Sequence, residues 1–407
     1  MMSACIPSLD LDSPQEVPDR MKITAIKTLV VNARMRNWIF VKVETSEPGM
    51  HGWGESTTEW KTNGVVGAVE DISKLLIGQD PLRVEHLWQI MHRQYFWRKG
   101  IVNVSALSGI DQALWDIKGK EVGKPVHELL GGSVRDTLRF YDHLGGGTLE
   151  GMYGTVAPEE FADRIHESLS QGFTAVKAMP IPVCEPIENP KVLKHAARCM
   201  EAMRKAAGDH VDIMVDLHAR TTPAAAIQFG RMLADYNPYW YEEPCWSEQV
   251  DGLLEVARAL PFPIATGERL VTRWEFRELL EKRACSIVQP DVCHCGGISE
   301  ARRIAALAET YLISVACHNP VGPVSTAASV HVAFATPNYL IQEMVRKDVP
   351  WRHDVVDGQI SIEEGVCQPP RSPGLGIEVN EEEAKKYPYE PEVFMPSFHR
   401  DGSVADW

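Results

Sequence analysis

The stretch IMVDLHAR, residues 213–220, is an apolar segment that ends in two ionisable side chains, Asp216 and His218. A short apolar run of this kind is typical of a buried β-strand. The pattern recurs along the chain, and each new ionisable residue comes 23 to 27 residues after the last. The recurrences are YWYEEP with Glu242, PIATGER with Glu268, SIVQPD with Asp291, ISVACH with His318 and YLIQE with Glu343.

This repeat length matches one strand and one helix of a parallel barrel, which takes roughly 30 residues per unit. We therefore predict an α/β protein whose strands are neighbours in a TIM-like barrel. Their C-terminal ends would meet at one mouth of the barrel, where barrel enzymes have their active sites. A single acidic residue after a strand is more often the N-cap of the next helix. Recurrence over six strands favours one shared pocket instead.

The sequence before these repeats has a different organisation. Residues 1–20 have no hydrophobic period and predict a loose tail. Residues 21–60 alternate apolar and polar positions, which indicates an antiparallel meander, and apolar positions three or four apart predict a helix over 105–120. The alternation of strands and helices begins after Gly147, where we expect the barrel to start.

Composition excludes several classes of protein. The formal net charge is −15 and 44% of the 407 residues are hydrophobic, which suits a globular protein and argues against a nucleic-acid partner. No apolar run approaches the roughly 20 residues of a membrane helix, and the N-terminus lacks the pattern of a signal peptide. A cytoplasmic protein without a membrane partner is the expectation.

Asp216, Glu242 and Glu268 come from three successive predicted strands and offer only hard oxygen ligands. Such ligands suit Mg²⁺, which binds carboxylates and leaves positions open for water and substrate oxygens. Without a metal ion, three neighbouring carboxylates would repel one another and raise one another's pKa. The sequence therefore predicts a magnesium site at the barrel mouth.

Histidines supply the acid–base chemistry that the predicted pocket needs. Asp291 and His318 end neighbouring predicted strands, and an aspartate beside an imidazole orients it and raises its basicity. His318 is therefore the candidate general base. His218 follows Asp216 by two residues, so that strand alternation would point both side chains to the same side. His218 is the candidate general acid.

These residues resemble the mandelate racemase branch of the enolase superfamily, and within that branch the galactonate dehydratases. The likeness extends over nearly the whole chain after residue 21. The segments that carry it are GWGE at 52–55, LIGQDP at 76–81, SGIDQALWDIKGK at 108–120, DLHAR at 216–220, QPDVCHCGGI at 289–298, CHNPVGP at 317–323 and SVADW at 403–407.

The resemblance implies a (β/α)₇β barrel over 148–364 and an α+β capping domain formed by 21–147 with about 365–407. Capping loops near Val31–Trp38 and Glu55–Asn63 would select the substrate. The family commonly forms dimers or octamers, so a homo-oligomer is expected.

The resemblance also implies roles for individual residues. One Mg²⁺ per subunit would be held by Asp216, Glu242 and Glu268. His318 with Asp291 would act as the base, and Glu343 would lie near the substrate carboxylate.

The implied reaction is dehydration of a sugar acid (aldonate). His318 would remove the C2 proton to give an enolate, and His218 would protonate the departing 3-hydroxyl, so that a 2-keto-3-deoxy acid forms. Lys177, Arg220 and Trp60 are expected to contact the substrate. Racemases of this branch carry a second lysine two residues after the first, where this chain has Met179. A two-base racemase is therefore disfavoured.

Two other functions remain open at this point. A mannonate- or gluconate-type dehydratase shares the Asp-x-His pattern of Asp216 and His218. In the mannonate group, however, the Asp291–His318 pairing is weakened or lost, so a galactonate-like substrate is favoured. The alternative of another class is a non-catalytic protein that binds a metal ion or a sugar acid. Such a protein should have lost ligand or base positions, and this chain keeps them.

Overall fold

The computed structural model describes residues 20–358 and 360–406. The loose tail expected over 1–20 therefore lies, apart from Arg20, outside the described residues. Within the described part, no helix is long and apolar enough to cross a membrane.

The N-terminal part of the described chain is a small sheet covered by helices. Three antiparallel strands form a meander with Arg34, at a φ of 65°, in the first turn. The longest helix among the described residues ends at Val122 and is capped by Gly123, whose φ of 66° is the left-handed conformation that glycine favours. The elements are β1 (Ile23–Ala33), β2 (Arg36–Thr45), β3 (His51–Glu55), α1 (Thr62–Leu76), α2 (Val84–Arg93), α3 (Ile101–Val122) and α4 (Val126–Leu129).

The centre of the molecule alternates strands and helices. The strands are β4 (Leu138–His143), β5 (Ala175–Ala178), β6 (Asp212–Asp216), β7 (Trp240–Glu242), β8 (Ile264–Thr266), β9 (Ile287–Val288), β10 (Ser314–Val315) and β11 (Gln342–Met344). The helices are α5 (Leu149–Tyr153), α6 (Pro158–Ser170), α7 (Pro190–Ala207), α8 (Pro223–Leu233), α9 (Val250–Ala259), α10 (Thr272–Lys282), α11 (Gly297–Glu309) and α12 (Pro323–Phe334), with a 3₁₀ turn at Ala234–Tyr236.

These eight strands are parallel and close into a barrel. Neighbours pair in chain order from β4 to β10, and β11 returns to pair with β4. A bridge between Val315 and Tyr339 joins the remaining edges. Every strand or its immediate continuation contributes one side chain to a buried cluster: Tyr141, Ala175, Met214, Trp240, Ala265, Ile287, Ala316 and Ile341. The predicted TIM-like barrel with a cap is confirmed.

The barrel begins earlier than the sequence indicated. Leu138–His143 is its first strand, whereas the expected start was residue 148, so this boundary was wrong. The polar residues Arg139, Asp142 and His143 in this strand obscure its apolar character.

The elements that follow the barrel are β12 (Val356–Asp357), β13 (Val366–Cys367), β14 (Glu378–Val379) and α13 (Glu381–Ala384). β13 pairs with β4 rather than with the cap.

Cap and barrel are joined through buried polar contacts. The Glu55 carboxylate, at the end of β3, accepts hydrogen bonds from the backbone N–H groups of Gly322 at 2.7 Å and Ser325 at 2.8 Å. Both groups belong to the start of α12, where a carboxylate complements the helix dipole. The C-terminal tail in turn binds the cap, for example through Lys42 and Glu381, whose charged atoms lie 2.5 Å apart. The cap is thereby held over the barrel mouth.

Candidate active site

A cavity of about 380 Å³ lies at the C-terminal mouth of the barrel, beneath the cap. Cap residues Met35, Arg36 and Glu59 contribute to its lining, as does Asp406 of the tail. Seven of the predicted site residues line this cavity: Trp60, Lys177, Asp216, His218, Glu268, His318 and Glu343. The sequence prediction of one shared pocket therefore matches the arrangement of these side chains.

Asp291 and His318 form a buried hydrogen-bonded dyad. His318 Nδ1 lies 2.7 Å from Asp291 Oδ2, and Asp291 Oδ1 accepts a hydrogen bond from Cys293 N at 2.6 Å. The carboxylate fixes the tautomer with the proton on Nδ1, so Nε2 is directed to the cavity, 3.7 Å from Glu268 Oε2. Burial alone would lower the pKa of His318, but the Glu268 charge and the Asp291 hydrogen bond raise it to about 10.

His218 occupies a turn directly after β6. Its φ of 53° lies in the left-handed region, and its backbone N–H donates to Asp216 Oδ1 at 2.8 Å. The ring nitrogen Nδ1 lies 3.3 Å from the hydroxyl of Tyr153, which comes from α5. Burial lowers the pKa of His218 to about 4, even though the neighbouring Asp216 charge opposes this shift. The imidazole is therefore neutral at pH 7 in the free protein.

Lys177 lies at the centre of the acidic residues. Its Nζ is 2.5 Å from Glu242 Oε1, 2.6 Å from Glu343 Oε1 and 3.6 Å from Asp216 Oδ2. The side chain is only 1% exposed. Burial opposes the ammonium, but Glu242 and Glu343 raise its pKa well above the ordinary value. Lys177 thus remains a cation and neutralises part of the carboxylate charge.

The remaining negative charge is not fully compensated. Burial raises the pKa of Glu242 to about 7 and that of Glu268 well above its ordinary value. Oδ2 of Asp216 and Oε2 of Glu268 are buried oxygens that accept no hydrogen bond from any described residue. A cation bound here would favour the ionised form of these buried carboxyl groups, because it would supply the charge that they lack as a partner.

The three predicted ligands share the ligand type of a Mg²⁺ site. Asp216 and Glu242 are paired residues on β6 and β7, and Glu268 follows β8, so all three belong to adjacent strand ends. Carboxylate oxygen is the ligand type that Mg²⁺ prefers. Within residues 20–358 and 360–406, however, no three His, Cys, Asp or Glu side chains converge closely enough to hold an ion. Lys177 contacts Glu242 instead. The donor set therefore fits Mg²⁺ in chemistry and strand position, and the side chains are not gathered around one point.

Arg220 lies outside the catalytic cavity. It lines a neighbouring cavity of about 310 Å³, which shares Met152 and Tyr153 with the first. Its guanidinium donates to the backbone oxygens of Leu217 at 3.2 Å and Ile181 at 3.0 Å. Arg220 was expected to contact the substrate. Its place in the neighbouring cavity does not support that expectation.

Several residues at the site were not predicted from the sequence. Tyr153 contacts His218, and Glu243 accepts hydrogen bonds from Thr266 Oγ1 at 2.6 Å and Gly267 N at 2.7 Å beside the carboxylates. The doubled acid of the EEP segment was a signal for Glu243. No local pattern marks Tyr153, because its role depends on how the loop after β4 folds.

Comparison with known proteins places this geometry in a family. Residues 160–384 match the family model described as enolase C-terminal domain-like. Residues 15–131 match the N-terminal domain of mandelate racemase/muconate lactonizing enzyme. Together the two matches include the cap strands and most of the barrel.

Individual relatives span nearly the whole chain. A D-galactonate dehydratase of Ralstonia pickettii is 38% identical over 398 residues, covering 95% of this chain and 100% of the relative. A D-galactonate dehydratase family member of Streptomyces bingchenggensis is 36% identical over 413 residues, covering 95% and 98%. The crystal structure of an enolase superfamily member from Salmonella Typhimurium has a TM-score of 0.86 at 33% identity, covering 90% and 98%. This chain belongs to the mandelate racemase/muconate lactonizing enzyme family of the enolase superfamily.

Proposed function

We propose that this protein is a Mg²⁺-dependent sugar-acid dehydratase, a hydro-lyase, and that a galactonate-like acid is its substrate. The observation that carries the proposal is the Asp291–His318 dyad, which directs a basic nitrogen into a cavity that also contains His218 and Lys177. Two relatives that match 95% of the chain bear the name D-galactonate dehydratase or that of its family. These names support the dehydratase class.

The first chemical step would be removal of the proton at C2 of the substrate. His318 Nε2 is the base once it has lost its own proton. The Glu268 charge helps to raise the pKa of His318 to about 10, and a cation bound at Glu268 would lower that pKa. Asp291 holds the other ring nitrogen and stabilises the imidazolium that forms when the C2 proton is taken. The C2 proton is weakly acidic, so negative charge on the substrate carboxylate must be stabilised as it builds. The Lys177 ammonium lines the cavity and is a cation suited to this role. Mg²⁺ held by Asp216, Glu242 and Glu268 would supply further electrostatic stabilisation of that charge.

The second step would be loss of the 3-hydroxyl group. Hydroxide is a poor leaving group, so a proton must reach its oxygen as the C3–O bond breaks. His218 is the candidate donor. Its imidazole is neutral in the free protein, and the negative charge of a bound acid would favour the protonated form. Water leaves, and the resulting enol tautomerises to a 2-keto-3-deoxy acid.

A racemase is a poorer explanation of the same pocket. Racemisation by two bases requires a second proton acceptor on the opposite face of the substrate. The position two residues after Lys177 is Met179, which packs with Met35 and Met152 in a buried apolar cluster. Methionine cannot accept a proton, so this position provides no second base.

The test is a panel of aldonates incubated with the protein and Mg²⁺, with formation of a 2-keto-3-deoxy acid measured by a carbonyl-specific assay. We expect turnover of D-galactonate or a stereochemical relative, and none by a His318→Asn variant. A His210→Asn variant is the matched control, because His210 is exposed just before the N-terminal end of β6. Failure of every acid on a complete panel would refute the proposal and favour a non-catalytic binding protein.

A further inference from the structure

A second cavity, of about 310 Å³, lies beside the catalytic cavity. Its walls come from the loop after β5, the segment between α5 and α6, helix α7 and residues 395–398 of the C-terminal tail. Most of the lining side chains are apolar, among them Val156, Ile181, Val183 and Phe398. A cavity of this volume is at the lower end of the range for sites that bind small molecules.

Arg220 brings a permanent positive charge to this apolar wall. The residue follows β6 and is partly buried. Its Nε donates to the backbone oxygen of Leu217 at 3.2 Å, and its Nη2 donates to that of Ile181 at 3.0 Å. These two bonds fix the plane of the guanidinium. They leave Nη1 without a hydrogen bond to any residue that the structure describes.

The charge of Arg220 has no anionic partner at close range. Among the side chains that the structure describes, no carboxylate forms an ion pair with it, and Asp216 acts on it only from a longer distance. The ring of Tyr153 lies 5.9 Å from the guanidinium carbon, a contact that compensates a cation only in part. Arginine is seldom buried without a counter-charge. An anion in the cavity would supply one.

A purely structural role explains only part of this arrangement. Arg135, for comparison, donates to the backbone oxygens of Tyr339, Thr336 and Pro337 through both of its terminal nitrogens. Arg220 bonds two backbone oxygens and also borders a cavity. Bonds to the backbone need donors alone, and they give no reason for apolar space beside the charge.

We propose that this cavity is a second ligand site, in which Arg220 binds the carboxylate of a small organic acid and the apolar wall encloses its short hydrocarbon chain. Hydrogen bonds between a guanidinium and a carboxylate are among the strong ones, and each buried methylene raises affinity by about fourfold. A sugar acid does not suit the site, because its hydroxyl groups would lack partners on the apolar wall. The ligand therefore differs in class from the substrate proposed for the catalytic cavity.

The site is separate from the catalytic cavity but adjoins it. Met152 and Tyr153 line both cavities, and the Tyr153 hydroxyl lies 3.3 Å from His218 Nδ1. The experiment must therefore distinguish binding at Arg220 from binding in the catalytic cavity. Removal of Mg²⁺ does so, because the carboxylate-rich catalytic cavity attracts an organic acid less strongly without the metal ion.

The probe is hexanoate, and its binding to the full-length protein is measured by calorimetry in Mg²⁺ and again in EDTA. Acetate has the charge without the chain, and hexan-1-ol has the chain without the charge. We expect hexanoate to bind at least about tenfold more tightly than either, since both parts of the ligand contribute. The two hexanoate affinities, with and without Mg²⁺, should agree within about threefold.

Two variants locate the binding. Arg220→Met keeps the length of the side chain without its charge, and it should weaken hexanoate binding about 10- to 100-fold. Val183→Trp places a large ring at a lining position that is 36% exposed, and it should also weaken binding. This second variant keeps the test decisive if Arg220→Met folds poorly. Arg135→Met is the matched control and should bind hexanoate like the wild type, with circular dichroism used to confirm that each variant is folded.

Several outcomes would overturn the proposal. They are no binding of hexanoate to the wild type, equal binding of acetate or hexan-1-ol, loss of binding in EDTA, or native affinity in a folded Arg220→Met or Val183→Trp variant. None of these measurements involves turnover. The ligand site and the proposed function therefore stand or fall separately.

Discussion

His318 Nδ1 lies 2.7 Å from Asp291 Oδ2, which leaves the opposite ring nitrogen to face the catalytic cavity. Asp291 is fully buried and receives a second hydrogen bond from the backbone of Cys293. The aspartate therefore fixes both the tautomer and the orientation of the candidate base. The two residues come from the ends of β9 and β10, which are neighbours in the barrel.

Replacing Asp291 by Asn is expected to lower kcat by about 10²- to 10⁴-fold, the range that general base catalysis contributes. The amide cannot stabilise the imidazolium and would favour the wrong tautomer. Exchange of the C2 proton with solvent deuterium, followed by NMR, should fall in parallel with dehydration. Asp209→Asn, at an exposed position before β6, serves as the control. A variant that loses dehydration alone would contradict the assignment of the dyad to C2.

Replacing His218 by Asn is expected to stop dehydration while C2 exchange continues. The reason is that His318 removes the proton without help from His218, which acts only on the departing hydroxyl. Deuterium incorporation into recovered substrate and keto-acid formation are the two measurements. Native-rate dehydration by this variant would show that His218 is not the acid. Loss of both reactions would point to a role for His218 in arranging the site.

Mg²⁺ is expected to raise the unfolding temperature of the protein, independently of any activity. At about a hundredfold excess over Kd, binding contributes roughly 2.7 kcal/mol, which is roughly 3 °C for a protein of this size. Asp216→Asn should abolish this shift, because it removes the charge of a carboxylate whose buried Oδ2 accepts no hydrogen bond from any described residue. Asp209→Asn should retain it. An unchanged shift in Asp216→Asn would refute the assignment of this ligand.

Stability should also depend on pH through His331, which is remote from the site. Its Nδ1 accepts a hydrogen bond from His127 N at 3.1 Å, and its Nε2 lies 3.2 Å from Leu375 O. Burial lowers the pKa of His331 to about 3, against 6.5 in the unfolded chain. The unfolded state therefore binds the proton first. The whole contribution of His331 to the free energy of unfolding is present above about pH 6.5, and it is lost progressively as the pH falls toward 3.

At pH 5 the expected loss from this group is about 2 kcal/mol relative to pH 7, from 1.36 kcal/mol per pKa unit. Thermal unfolding of the wild type and of His331→Gln at several pH values measures the difference. The glutamine cannot titrate but can keep the same hydrogen bonds, so its stability should fall less steeply with acid. Parallel curves for the two proteins would contradict this role for His331.

Much of the barrel could be predicted from the ionisable residues that end its apolar segments. The residues from Asp216 to Glu343 were predicted from one recurring pattern, and their strands are parallel neighbours of one barrel. The helix predicted over 105–120 lies within α3, and the meander over 21–60 is β1 to β3. The first barrel strand was missed, because the polar residues of Leu138–His143 interrupt the apolar run that identified the others.

The site itself was only partly predictable. Its strand-borne residues were found, but Arg220 was expected in the cavity and lies beside it. Glu55, which binds the start of α12 from the cap, was quoted as a motif residue without a structural role. Tyr153 ends the short helix α5, Arg36 begins β2 directly after a turn, and Glu59 lies in the loop after β3, so all three stand in or beside loops. Loop conformation depends on contacts with distant segments, so no local period marks such residues.

The sequence by itself indicated that the carboxylates and histidines which end six successive strands meet at the barrel mouth. The physical reason is that strand pairing brings the ends of regularly spaced parallel strands to one edge. Only the tertiary structure decided that the Lys177 ammonium lies among Asp216, Glu242 and Glu343 and that Arg36 and Glu59 close the cavity from the cap. These contacts join residues far apart in the chain, and their distances follow from packing and charge in three dimensions.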